Sequence, residues 1–394
     1  MNMKQTIPPV EKKKIKLKYY INYVLVLALL IPFAVSGLSG SIKGTTSMLL
    51  TQIAYGMILA VSLNLVVGFL GELSLGHAGF MCVGAYLGGF FANLLHGLEL
   101  PKLVVLILAM LGGGLMAALF GLLIGLPTLR LKGDYLAIVT LAFGEIVRTI
   151  FMNQAVFGGA LGLSTKTYGK TLYITALVMV LVTVFVSQNL MRSKHGRAIQ
   201  AIRDNEIAAR AMGVNITYYK LAVFVIAAFF AGVAGVIYAH STALVNYGFF
   251  SYNYSIEVLV MVVLGGMGNI TGSLIAATLL TYINFTLDDK LSGDLAALKF
   301  LIYALILILM IMWNNAPALR GLRTRVNLHN FGVWIKKTVF RLTHKVPEGG
   351  EEPPTNASWD KIPTKIEMDA ILSTDVVPDR SFEADKPEKP KGEK

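Results

Sequence analysis

The sequence predicts an all-α polytopic membrane bundle of about ten spans with broken or re-entrant helices, and three observations carry that expectation. Apolar residues make up 55% of the 394 and charged residues only 15%, far more apolar matter than one soluble core requires. Apolar stretches of about 20 residues, long enough to cross roughly 30 Å of hydrocarbon as a helix, recur along the chain. Lysines and arginines gather between those stretches rather than inside them. The spans must be helices because lipid offers no hydrogen-bond partner to an unpaired backbone group.

Taken in order, a basic N-terminus (1–18) with a lysine-rich run from Lys12 to Lys18 precedes an apolar segment near 19–38. That segment exceeds the roughly 7–15 apolar residues of a signal peptide and reads as a retained first span. Further spans are expected near 46–67, 78–95, 102–124, 135–153 and 171–190. After a polar gap they continue at 217–239, 254–264, 271–287 and 295–313, so 19–313 forms the membrane domain. Ten spans place both termini in the cytoplasm. The loops holding Arg130 and Lys132, Arg192 to Arg210, and Arg320 to Arg341 then share one side, as the positive-inside bias requires.

A basic cytoplasmic segment (314–345) follows. Its Trp334, Ile335, Val339 and Phe340, beside Lys336, Lys337 and Arg341, fit a short amphipathic helix on an anionic leaflet or a flexible basic connector equally well. The tail 346–394 holds seven of the thirteen prolines and twelve acidic against seven basic residues, a composition that predicts disorder. Setting aside that net −5 from the chain's +12 leaves +17 on residues 1–345. Spread over loops between spans, this charge describes topology and contact with lipid, and it argues against nucleic acid. The single cysteine, Cys82, lies in an apolar stretch and reads as a buried structural thiol.

Two segments interrupt the apolar pattern with polar chemistry. The run from Asn64 to Phe80 (NLVVGFLGELSLGHAGF) sets Glu72, Ser74 and His77 among glycines, Gly71 included, between two spans. Ionisable groups near membrane depth face a bundle interior or a cavity, since lipid contact is costly. A cytoplasmic turn with Glu72 and His77 in water is the alternative. One histidine and one glutamate are too few ligands for a metal. In the second interruption Gly265, Gly266, Gly268 and Gly272 break the stretch from Tyr254 to Leu287. Either a broken helix beside a water-filled cavity or close packing of helices through small residues explains those glycines.

The stretch from Gly196 to Gly213 (GRAIQAIRDNEIAARAMG) is too charged to cross lipid and predicts a pair of short helices. Ala198, Ile199 and Ile202 form an apolar stripe on the first, Asp204 or Asn205 can cap the second, and Gly213 ends it. The stripe calls for a surface to bury it, and a cytoplasmic partner protein answers that need. Folding under the chain's own bundle, or lying on the membrane, answers it too. Glu145 and Arg148, at i and i+3 on a span, are expected to pair. Glu257, near the outer end of its segment, is either solvated or a cap beside a pathway. Gly169-Lys-Thr171 resembles the end of a phosphate-binding loop, but the upstream glycine position holds Ser164, so no nucleotide site is expected. Nor do the polar segments offer a nucleophile, base and orienter together.

These ordered motifs, with Gly133 to Glu145 (GDYLAIVTLAFGE) and Ser255 to Gly268 (SIEVLVMVVLGGMG), resemble the LivM-like permeases of the branched-chain amino-acid ABC importer family from about 47 to 313. The resemblance implies that Glu206, Ala208, Ala209 and Gly213 match an EAA-type coupling motif. They sit in a coupling loop (191–216) that also holds Gly196, Arg197 and Asp204, and its short helices dock on an ATPase subunit. Asn64, Gly71, Glu72, Ser74, His77, Glu257, Gly265, Gly266, Gly268 and Asn269 become candidates for the translocation pathway. The implied partners are a second, LivH-like permease, two ABC ATPase subunits and an extracytoplasmic substrate-binding protein. ATP and Mg belong to the ATPases, and no cofactor or metal to this chain.

The implied place is the cytoplasmic (inner) membrane and the implied cargo leucine, isoleucine and valine, although related permeases serve urea and amides. The acidic tail departs from the family pattern, which ends soon after the last span. Two other classes compete. An ion-coupled secondary transporter or channel would use Glu72, His77, Glu145 and Glu257 as ion sites, and a membrane scaffold would carry no solute.

Overall fold

A computed structural model describes Asn22, Tyr23 and Val26, residues 44–290 apart from 99, 129, 130, 132, 170 and 171, and residues 304, 305 and 308, with side chains in the last long helix followed to 287. These belong to the first of two units, Met1–Ala316; the second is Pro317–Lys394. Most of the expected spans 19–38 and 295–313, all of 314–394, and Arg130 and Lys132 lie outside the described residues.

Seven helices among the described residues are long and apolar enough to cross a membrane, so the chain is an integral membrane protein. They are α1 (Gly44–Leu70), α2 (His77–Leu98), α3 (Lys102–Thr128), α4 (Asp134–Asn153), α5 (Leu172–Arg192), α8 (Ile216–Thr242) and α10 (Ile270–Lys290). Between α5 and α8 lie two short helices, α6 (Lys194–Asp204) and α7 (Glu206–Ala211). The segment expected near 254–264 is α9 (Tyr252–Gly265), whose 14 residues reach only about 21 Å at 1.5 Å per residue and cannot cross alone. Two-residue strands, β1 (Leu163–Ser164) and β2 (Leu244–Val245), pair antiparallel.

The apolar window of α1 is 94% buried inside the chain's own bundle, against 39% for α3. α1 is therefore an interior helix, hydrophobic all round, while α3 turns Leu103, Ile107, Leu115 and Leu123 outward as lipid contact permits. Small residues bring α2, α3 and α8 together. A Cβ on Gly84 of α2 would overlap the backbone of Gly232 in α8, and one on Gly113 of α3 would lie 3.0 Å from the Gly84 carbonyl. α2 is π-helical from Gly84 to Gly88, where the three helices meet, and such single-turn bulges re-space the side chains that follow. Aromatic side chains fill the remainder: Tyr86 stacks on Phe151 at 4.7 Å and Tyr238 on Phe249 at 4.2 Å.

Candidate functional site

The site grows from the last turns of α1. Leu65–Leu70 is π-helical, Gly71 adopts φ +82, and the chain runs without regular structure to His77. Each backbone group left free by such a break needs a partner, and side chains of neighbouring helices supply several. Thr140 of α4 accepts from the Leu75 amide at 3.0 Å, and Ser255 of α9 accepts from the Ala78 amide at 3.0 Å. His77 is only 2% exposed and its Nε2 lies 2.8 Å from Ser62 Oγ of α1. Glu72, 13% exposed at its side chain, pairs with Lys220. The alternative of a solvated turn therefore fails for both residues. Ser74 is buried, and Gly71, at the surface, carries the Arg203 stem across it.

The second break, Gly266 to Asn269 between α9 and α10, meets the first one. Buried Asn64 of α1 accepts from the Gly268 amide through Oδ1 and donates to Ser273 Oγ of α10 through Nδ2, both at 2.8 Å. A Cβ on Gly68 would overlap Asn64 and the Gly268 backbone, so only glycine allows this approach. Asn269 Oδ1 accepts from the Gly272 amide at 3.3 Å and helps start α10. The glycines both break the helix and pack it closely, each at its own positions. Gly266 and Gly268 take positive φ to turn the chain, and Gly265 packs directly on the backbone of Gly272 and Ser273.

Three polar caps cut the segment after α5 into pieces. Ser193 accepts from the amides of His195 and Gly196 to start α6, Asn205 from Ala208 to start α7, and Asn215 from Tyr218 to start α8. Of the two candidate caps for α7, Asn205 does the work. Gly213, at φ +81, ends α7, donating to the Arg210 carbonyl while Val214 donates to Ala209. The apolar stripe of α6 is spent internally: Ile199 and Ile202 are buried, with Gly196 and Ala209, in the chain's own core. The expectation that this stripe waits for a partner is thereby corrected. What the loop presents outward is Ile207 and Met212, 81% and 84% exposed, with Arg197, Asp204 and Ala208 also at the surface.

The loop is fastened to the breaks by cations. Lys220, in the second turn of α8 and 4% exposed at its side chain, binds Glu72 at 2.5 Å and Glu206 of α7 at 3.2 Å. Glu206 also pairs with Arg210 at 3.1 Å. Arg203 of α6 donates to the Gly68 carbonyl at 2.5 Å. Lys220, Arg203, Ser62 and Ser273 escaped the sequence reading. A signal existed for Lys220, a lone cation in an apolar helix that carries no acid, whose partner must therefore come from another element.

Glu257 and Glu145 stand apart from this cluster. Glu257 of α9 accepts a hydrogen bond from Asn284 of α10, about two and a half turns from the Gly266 break. Glu145 pairs with Arg148 at 2.8 Å and accepts from the Tyr252 amide at 3.0 Å, which seats a carboxylate on the start of α9 as the helix dipole favours. Among the described residues, no three of His, Cys, Asp and Glu gather to hold a metal.

The family described as "Branched-chain amino acid transport system / permease component" matches residues 45–311. The chain belongs to that family. This permease is 35% identical over 358 residues to the high-affinity branched-chain amino acid transport system permease protein LivM of Escherichia coli K12, covering 82% of this chain and 80% of the relative. It is 28% identical to the probable LivM permease of Methanocaldococcus jannaschii, over 68% and 78%. With the ribose import permease RbsC of E. coli K12 it shares 27% identity, over 68% and 84%. No solved structure matches the permease significantly.

Proposed function

We propose that the permease is the membrane subunit of an ATP-driven ABC importer that moves leucine, isoleucine and valine across the cytoplasmic membrane. The observation that carries this reading is the 35% identity to relatives named for branched-chain amino acid transport. Both termini lie in the cytoplasm, as does the loop from Arg192 to Ile216, which places the acidic tail and the basic segment before it on the ATPase side. The partners are a second, LivH-like permease, two ABC ATPase subunits and an extracytoplasmic binding protein. The chain itself is no enzyme; the ATPases bind ATP and Mg and hydrolyse the nucleotide.

In this reading Gly196, Arg197, Asp204, Glu206, Ala208, Ala209 and Gly213 make the coupling loop. Ile207 and Met212 enter a groove on the ATPase, while Glu206 and Ala209 face inward and hold the loop to the bundle. The two glycine breaks, with Asn64, Gly71, Glu72, Ser74, His77, Gly265, Gly266, Gly268 and Asn269, line the end of the pathway nearest the ATPase, and Glu257 lies deeper along it. The secondary-transporter reading needs carboxylates open to protons or ions. Glu72, Glu145 and Glu257 are each engaged by a neighbour, with Lys220, Arg148 and Asn284, which favours the ATP-driven reading.

Leucine uptake by proteoliposomes carrying the permease with its co-purified partners tests the proposal. The expected result is uptake that requires internal ATP, survives an ionophore and is untouched by excess ribose. Uptake that persists without ATP and collapses with the ion gradient would make this a secondary transporter, and uptake competed by ribose would overturn the cargo.

A further inference from the structure

Two carboxylates from separate elements share one buried ammonium. Glu72 belongs to the irregular linker between α1 and α2, Glu206 opens α7, and Lys220 in α8 reaches both. Nothing else on α8 requires a cation there, since that helix carries no acidic residue, and burying an ammonium is costly unless its partners compensate it. The other ties to the loop are weaker by chemistry. Arg203 holds only a neutral carbonyl, and Arg210, on the far side of Glu206, is 71% exposed, so water screens its pairing.

From this placement we infer that Lys220 is a positioning residue for transport. It couples α7 to the Glu72 linker so that a displacement of α7 is delivered to the break beside Asn64, Gly68 and Gly268. The geometry makes the direction of the effect clear. With the ammonium present, α7 and the linker are drawn to one point and move together. With it removed, two carboxylates in a poorly solvated place repel, and the linker no longer follows α7. The inference rests on the ATP-driven reading above, in which α7 is moved by an ATPase.

The test measures leucine taken up per ATP hydrolysed in proteoliposomes of the complete complex. Lys220→Met is expected to lower that ratio by about tenfold, within the usual range of coupling between sites. Glu72→Gln alone should lower it as well, and Lys220→Arg should return at least half of it. A merely structural pair would change assembly or stability and leave the ratio alone.

Because Lys220→Met leaves the Glu72 carboxylate without its ammonium and threatens folding, the double variant Lys220→Met with Glu72→Gln serves as the second arm. It removes the unpaired charge at the linker and is expected to assemble yet remain uncoupled. A wild-type ratio in Lys220→Met or in the double variant overturns the inference. Failure of both to assemble overturns it too, since the pair would then hold the fold and not the coupling. If the wild-type complex itself shows no ATP-driven leucine uptake, the proposed function fails and takes this inference with it.

Discussion

Asn64 shows how much a single amide can carry in this bundle. Its side chain closes the Gly266–Asn269 break by accepting from Gly268 and steadies α10 through Ser273. Asn64→Ala leaves the half-buried Gly268 amide without its acceptor, whereas Ser273 keeps its bond to the Asn269 carbonyl. The expected cost is about 1–2 kcal/mol, visible as a lower unfolding midpoint in detergent; an unchanged midpoint would mean the break is held by other contacts. Asn64 was legible in the sequence as part of a glycine-rich polar run, but its partners about two hundred residues away were not. Gly268 and Ser273 are brought to it only by the packing of α1 on α10. The same holds for Lys220, whose isolation in an apolar helix announces a partner without naming Glu72 or Glu206.

At the scale of the element, α7 is six residues long and could not persist alone, since isolated helices shorter than about 12 residues are marginal in water. It stands because Asn205 caps its start, Gly213 ends it and Ala209 is buried beneath it. Asn205→Ala is therefore expected to weaken α7 by about 1 kcal/mol, to lower leucine-stimulated ATP hydrolysis and uptake together, and to leave insertion of the spans unchanged. Asn205→Asp, which keeps an acceptor, should behave as wild type. An Ala variant with full stimulation would detach α7 from coupling. The two-helix form of this loop was readable because caps, stripe and terminal glycine are local signals. What the stripe faces was not, because periodicity reports that Ile199 and Ile202 share a side of α6 and is silent on the surface that meets them. The chain's own core took that side, which leaves Ile207 and Met212 as the exposed apolar contacts of the loop.

For the whole molecule, the proposed orientation makes the loop of α6 and α7 cytoplasmic and the α4–α5 connection, which carries Leu161, extracytoplasmic. The positive-inside argument rests on the distribution of Lys and Arg over loops, and a chemical label reads the same orientation directly. The chain is suited to one, because its only cysteine, Cys82, is fully buried in α2 and a buried thiol is inert. Leu161→Cys and Ile207→Cys place new thiols at side chains 84% and 81% exposed. A membrane-impermeant maleimide should label position 161 on intact cells and leave 207 untouched. In inside-out vesicles the pattern should invert, with bound ATPase protecting 207 if Ile207 sits in its groove. Labelling of 207 on intact cells would reverse the orientation and remove α7 from any contact with a cytoplasmic ATPase. The ion ties through Lys220 would then have to serve the fold alone.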